Sequence, residues 1–219
     1  MAYQLNGSSQ FIGSAAGTAF NGTGDCTLAC WFWTSATASD QALIAYETES
    51  NADGRYILAA SGSSTGNKIA AQSGNASVIQ AARTTLSFST NTWQHAAAVH
   101  SGTSSRSAYL NGQGKVTDTN THIFYANAQY VHVGAIYYPG LNVTSAYLNG
   151  RVAETAIWNA ALTDTEIASL AAGFTPDQIR PQSLQFYAPL VRNLVDLRGG
   201  RTITNVGGAT VATHPRIYT

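Results

Sequence analysis

The feature that most constrains the fold is Trp93–Gly112, WQHAAAVHSGTSSRSAYLNG, where two alternating runs flank a Ser/Gly/Thr turn and the second run ends on Asn-Gly. Alternation with a period of two is typical of β-strands, and Asn-Gly is a strong hairpin signal. Residues Ser145–Gly173 continue in the same way, with a strand, another Asn-Gly, a strand that ends at Trp158, and one short helix. These segments predict a sheet with a single helical accessory.

The rest of the chain repeats this organisation. Short candidate strands, such as Cys26–Thr34 and Arg55–Ser61, are separated by Gly/Asn/Ser clusters such as NGTGD, NADG and SGSSTGN. Short strands at regular spacing favour a sandwich or jelly roll. The predicted helix is Asp164–Ala172, because Thr163 and Glu166 have the spacing of a capping box.

Three motifs carry a family resemblance: Trp-x-His-Ala at Trp93, Tyr-Leu-Asn-Gly at Tyr109, and Gly-Arg-Val-Ala-Glu followed by Ala-Leu-Thr-x-x-Glu-Ile from Gly150. The chain thereby resembles the laminin-G-like, concanavalin A-type jelly rolls. The resemblance implies an all-β, concanavalin A-like jelly-roll β-sandwich with one short helix. Because all-β sandwiches of roughly 200 to 250 residues are commonly one unit, we expect a single domain over residues 1–219.

Residues 181–219 are expected to form a return strand and a surface tail of the same domain. Their Tyr-x-Pro-Leu and Asp-Leu-x-Gly-Gly motifs resemble segments that accompany laminin-G-like modules in tailed-phage structural proteins. We expect a strand around Phe186 to return to the sandwich and Val211–Thr219 to run along the surface or onto a neighbour. Thr202–Thr219 is expected to pack on its own sandwich and at a subunit boundary.

Charge and hydropathy exclude two classes of partner. Charged residues make up 10% of the chain, with eleven acidic against eleven basic side chains. No charge field is present to hold nucleic acid or an anionic membrane, and no apolar run is long enough to span a bilayer. The start, MAYQLNGSSQFIG, lacks the basic and apolar regions of a secretory signal, so we expect either a mature fragment or export by a non-classical route.

Cys26 and Cys30 are predicted to be free thiols. Four residues apart in one strand, their Cα atoms would be about 13 Å apart, beyond the roughly 7 Å limit for a disulfide. They should face the core together with Leu28 and Phe32. The fold therefore does not depend on an oxidising compartment.

A catalytic site is not predicted. The related glucanases use Glu-x-Asp-x-Glu strands that place two carboxylates in a cleft, and this sequence has no such motif. Glu47 and Glu49 are the pair most similar to this motif, but they lie where a strand ends in a turn. They are expected to be solvated edge residues. The histidines have no nucleophile or metal-ligand spacing and are expected to be structural. They are His95, His100, His122, His132 and His214.

Calcium is the one cofactor that the sequence makes worth weighing; no other is predicted. Glu49, Asn51 and Asp53 place three oxygen side chains at alternate positions before Gly54, like the first half of a calcium loop. The residue at the twelfth position is Ala60, which cannot ligate. An Asp-Gly hairpin turn explains the same residues.

Saccharide binding would use exposed aromatic rings. Tyr137 and Tyr138 open a predicted aromatic loop that continues to Asn142, and these three residues are the candidate ligand-binding residues. Packing or a subunit contact is the alternative role. The tryptophans lie in strands and are expected to fill the core or its edge, Trp93 among them.

Two main function classes follow from these observations. The first is a non-enzymatic structural or display protein of a bacteriophage virion, such as a capsid decoration or fibre-associated protein. It would form a homo-oligomer, a trimer by analogy with such proteins, and contact a capsid or tail protein or cell-surface glycans. The alternative is a freestanding, extracellular lectin-like module. A glycoside hydrolase is third, since the carboxylate motif is absent.

Overall fold

The computed structural model describes residues 1–17, 24–48, 54–75, 78–121, 128–138, 143–191 and 193–217, with only the backbone at 138 and 143. Within these ranges the chain forms seventeen strands and one α-helix, α1 (Asp164–Ala171). The strands in chain order are β1 (Ala2–Asn6), β2 (Phe11–Ser14), β3 (Cys26–Thr34), β4 (Gln41–Glu47), β5 (Arg55–Ser61), β6 (Lys68–Gly74), β7 (Ile79–Ser87), β8 (Gln94–Ser101), β9 (Ser105–Leu110), β10 (Gln113–Asp118), β11 (Tyr130–Val133), β12 (Ile136–Tyr138), β13 (Val143–Ser145), β14 (Asn149–Trp158), β15 (Leu184–Ala188), β16 (Ile203–Val206) and β17 (Thr210–Ala212). None of the helices in these ranges has the length and apolar character needed to cross a bilayer.

Two antiparallel sheets form a sandwich. Sheet A has the order β10-β9-β8-β3-β14-β1-β17, and β15 pairs with the second half of β14. Sheet B has the order β16-β2-β11-β4-β5-β6-β7, and β12 pairs with β13 as a separate hairpin. The prediction of an all-β jelly-roll sandwich with one short helix is confirmed.

The core lies between the sheets and follows the predicted alternation. On β3, the side chains of Cys26, Leu28, Cys30 and Phe32 are buried in it. Both cysteines are free, as predicted. Their thiols cannot bridge because an extended strand separates them.

The helix α1 begins as the sequence predicts. The backbone N–H of Glu166 donates to Thr163 Oγ1 over 3.3 Å, and the Glu166 carboxylate accepts from the Thr163 N–H over 2.8 Å. Ile167 and Leu170 pack beside Trp158 on the outer face of sheet A. This helix therefore covers an apolar patch, and its role is structural.

The C-terminal segment enters both sheets, which differs from the expected surface tail. Strand β16 extends sheet B by pairing with β2, and β17 extends sheet A by pairing with β1. The alternation in these strands is short and mostly polar, so the sequence alone did not identify them. The strand expected around Phe186 is present as β15.

The β12–β13 hairpin lies against the outer face of sheet B, away from the sandwich core. Ile136 and Ala146 pack on a layer of small and aliphatic residues from β4, β5 and β6. The residues of this layer are Ala42, Ala45, Ile57, Ala59 and Ala70. The hairpin therefore divides this face into two parts, each with its own cavity.

Candidate functional site

A cavity of about 520 Å³ opens on the outer face of sheet B, on the β16 side of the hairpin. Strands β2 and β11 supply its floor, β16 supplies a wall, and the hairpin with the residues after it supplies the rest. The aromatic side chains of Phe11, Tyr137 and Tyr147 line it together with His132 and the exposed Thr204. We call it the aromatic cavity.

The rings in the aromatic cavity form one packed cluster. Phe11 and Tyr137 are stacked, with centroids 5.6 Å apart and planes inclined by 30°. The imidazole of His132 meets both rings edge-on, at centroid distances of 5.8 Å to Phe11 and 5.1 Å to Tyr137. Tyr130 lies parallel to the imidazole at 6.3 Å. His132 is thus fixed by ring contacts from three strands.

A buried carboxylate holds the same imidazole. Glu47 on β4 is 1% exposed, and its Oε2 lies 2.6 Å from His132 Nδ1. The backbone N–H of Tyr137 also donates to this oxygen, over 3.4 Å. Burial raises the pKa of Glu47, while its hydrogen bonds with His132 and with the Tyr137 N–H oppose that rise. The expectation that Glu47 is a solvated edge residue is therefore wrong, because β4 is an interior strand of sheet B.

The floor of the cavity has room above the imidazole because Gly13 lies opposite His132 in the register of β2 and β11. A Cβ at this position would lie 3.2 Å from Phe11 Cε2 and 3.4 Å from His132 Cδ2. Such contacts are tight, so a side chain here would crowd both rings. Glycine leaves the imidazole edge open to the cavity.

A second cavity of about 520 Å³ lies on the other side of the hairpin. Its floor is aliphatic, with Ala42 and Ile57, and polar groups on its rim include Gln72 and the exposed Arg83. Its described lining contains no aromatic ring. The two cavities therefore differ in the ligand chemistry they offer.

The sequence-predicted site residues have different outcomes. Tyr137 lines the aromatic cavity. The side chain of Tyr138 and all of Asn142 lie outside the described part of the chain, so these two stay predictions. The weak calcium candidates are Glu49, Asn51 and Asp53, and they also lie outside it. Among the residues that the structure describes, no cluster of His, Cys, Asp or Glu has the arrangement of a metal site.

Sequence reasoning missed the other members of the site. Phe11 and His132 lie in alternating strands and are 121 positions apart, so only strand pairing brings them together. The Glu47–His132 contact spans 85 residues. By contrast, His95 is buried against Trp31 at 5.6 Å, as expected of a structural residue.

Comparisons with known proteins agree with this architecture. A family model described as "Concanavalin A-like lectin/glucanases superfamily" (Laminin_G_3) matches residues 6–168. No curated protein is similar to the chain at the sequence level.

Solved structures share the fold at low identity. The heptameric SAP-like pentraxin from Limulus polyphemus has a TM-score of 0.66 and 12% identity, covering 95% of this chain and 93% of its own. A putative carbohydrate binding protein from Bacteroides ovatus has a TM-score of 0.69 and 16% identity, over 97% and 59%. Domain 4 of AbnA, an arabinanase from Geobacillus stearothermophilus in complex with arabinotriose, has a TM-score of 0.61 and 20% identity, over 78% and 76%.

Proposed function

Because the chain belongs to the concanavalin A-like lectin/glucanases superfamily, we propose that it binds saccharides in the aromatic cavity and does not hydrolyse them. The family specifies the fold, and the site must supply the function. The observation that carries the proposal is the stacked pair Phe11 and Tyr137 inside a cavity of about 520 Å³. A cavity of this size suits a small ligand with an apolar face.

The cavity combines apolar faces with hydroxyl groups. Tyr137 and Tyr147 are half-buried, so a sugar ring can lie against their carbons while its edge stays near polar groups. Thr144 and Thr204 also line the cavity and supply hydroxyl groups. Saccharides present both an apolar C–H face and a rim of hydroxyls, which is the pattern that this lining complements.

The described lining argues against glycoside hydrolysis. Hydrolysis needs two carboxyl groups on either side of the scissile bond, as acid and as nucleophile or base. The aromatic cavity has no Asp or Glu among its described lining residues. Glu47 is not one of these lining residues, and its carboxylate is bound to His132.

Known relatives in fold support the proposal as analogy. One of them is a putative carbohydrate binding protein, and another is an arabinanase domain in complex with arabinotriose. Their identities of 16% and 20% transfer the fold alone, so the identity of the sugar must come from experiment.

Calorimetric titration with a panel of neutral mono- and oligosaccharides tests the proposal. Tyr137→Ala and Tyr147→Ala should each weaken binding roughly tenfold, since each removes an aromatic face. Phe174→Ala is the matched control, because Phe174 is an exposed ring outside the cavity. Equal affinity in all three variants, or release of reducing ends from a bound saccharide, would contradict the proposal.

We further propose that the chain displays this cavity on a virion as a homo-oligomer, with a trimer as the expected form. What supports this is an apolar cluster in the C-terminal region and the resemblance of that region to tailed-phage structural proteins. Val191, Val195 and Leu197 are 44%, 45% and 57% exposed within seven residues. Branched apolar side chains this close together favour a protein contact.

The assembly proposal has its own test. Light scattering should give an oligomer for the intact chain and a smaller species for the double variant Val195→Lys, Leu197→Lys, with saccharide affinity unchanged. Val78→Lys is the control, since Val78 is 57% exposed and lies outside the C-terminal region. A monomeric intact chain that is also absent from purified particles by mass spectrometry would refute it.

A further inference from the structure

The burial of the pair Glu47–His132 is unfavourable for the free energy of folding. Both side chains are at most 3% exposed, and Glu47 Oε1 has no hydrogen-bond partner in the described part of the chain. Burying a carboxylate costs several kcal/mol even when a neighbouring group binds it, and apolar residues of similar size commonly do as well or better for stability. Stability alone therefore does not account for this pair.

The contact with Glu47 determines which ring nitrogen of His132 is available to the cavity. Glu47 Oε2 forms a hydrogen bond with His132 Nδ1 and also accepts one from the Tyr137 N–H, as expected of an unprotonated oxygen. Nδ1 then carries the proton, and in the neutral ring Nε2 has the lone pair. His132 lines the cavity, its contact with Glu47 is made through Nδ1, and Gly13 leaves the space beside the ring open.

We infer that His132, held by Glu47, is the specificity-determining residue of the aromatic cavity: its Nε2 accepts a hydrogen bond from a ligand hydroxyl, so the cavity takes uncharged saccharides and rejects those that carry a carboxylate. The inference rests on the proposed saccharide site and names its ligand class. It concerns binding only and involves no covalent step.

The charges around the cavity lead to the same selectivity. The described lining has no Lys or Arg, so a ligand carboxylate would lose water without gaining a cation. Arg55 is the cation nearest in the strand register, and it lies opposite Glu47 on β5, within the sheet. The rings of Tyr130 and Tyr137 also contact the imidazole of His132. In the cavity, a ligand carboxylate would thus meet the Nε2 lone pair and the phenol groups of Tyr137 and Tyr147, with no Lys or Arg in the described lining.

Matched sugar pairs test the inference. Galactose against galacturonate, and glucose against glucuronate, differ only in a hydroxyl or a carboxylate at C6. The intact chain should bind the neutral member at least about tenfold more tightly, because an unpaired buried charge costs more than a neutral group. In His132→Gln the amide can turn an N–H to the ligand, so the preference should fall to within about threefold. Glu47→Gln keeps an oxygen for Nδ1–H and should retain the preference.

Nitrogen-15 NMR of the imidazole in the unmodified chain gives a second measurement, which does not depend on the folding of a variant. The shifts should show Nδ1 protonated and Nε2 unprotonated at neutral pH; the opposite tautomer would overturn the inference. Binding of neutral and acidic sugars with equal affinity would overturn the inference but leave the saccharide site intact. If no sugar of either kind binds, the proposed function and this inference fall together.

Discussion

Removal of one member of the Glu47–His132 pair should destabilise the fold far more than removal of both. His132→Leu leaves a carboxylate that is 1% exposed without its imidazole, and breaking a buried pair in this way costs about 3–5 kcal/mol. Glu47→Leu leaves a neutral imidazole with an unpaired N–H, which costs about 1–3 kcal/mol. The double variant replaces the pair by apolar side chains and should be within about 1 kcal/mol of the parent.

Urea unfolding followed by tryptophan fluorescence measures all four proteins of this cycle, and an unchanged m-value shows that the two-state comparison holds. The two single losses should exceed the double loss by about 3 kcal/mol or more. Losses that add within about 0.5 kcal/mol would refute the reasoning, since independent sites behave in that way.

The pH dependence of His132→Leu provides an internal check. Burial raises the pKa of Glu47, and without His132 the hydrogen bond that most opposes this rise is lost. The folded state then holds the proton to higher pH than the unfolded state, so stability falls as pH rises above the ordinary carboxyl range of about 4. The deficit of His132→Leu should therefore be small in acid and grow toward neutral pH; a constant deficit would contradict a carboxylate origin.

Two further predictions concern the core. Burial raises the pKa of both Cys26 and Cys30, so a thiol reagent should modify neither in the folded protein and both after unfolding without reductant, with the mass of the unmodified chain excluding a disulfide. Trp158 is fully buried, and Trp158→Ala should cost about 3–5 kcal/mol in equilibrium unfolding, whereas Trp93→Ala should cost clearly less. Trp93 is half-buried, which fits the edge of the core, one of the two positions expected for the tryptophans, and equal losses for both variants would contradict this ranking.

Local sequence patterns predicted the sandwich, because apolar and polar residues alternate along a strand that has one buried face. Strand β3 illustrates this, since its core-facing residues occupy every second position. Strand β4 shows the limit: Glu47 lies in the polar run YETES, and its burial follows from β11 and β5 on either side. No local signal reports that an interior strand also has its outer face covered.

The aromatic cavity was only partly predictable for a related reason. Tyr137 could be proposed from an exposed-looking aromatic loop, because consecutive tyrosines near Pro and Gly are a local signal. Phe11 and His132 could not, because their neighbours are set by the pairing of β2 with β11. Binding residues that converge through sheet register leave no spacing in the sequence to recognise.

The C-terminal strands β16 and β17 also join the sandwich only through strand pairing, and their removal can be tested. Truncation after Arg201 removes β16, which supplies Thr204 and Val206 to the aromatic cavity, and β17, which covers the edge of β1.

We expect this truncated chain to lose saccharide affinity at least tenfold and to aggregate more readily, because the edges of β1 and β2 become unpaired. The matched control ends after Ala212, keeps both strands, and should bind as the intact chain does. Calorimetric titration and thermal unfolding of the two shortened chains decide the matter. If the chain that ends at Arg201 binds with unchanged affinity, β16 is not a wall of the site, and the ligand must lie elsewhere on the sandwich.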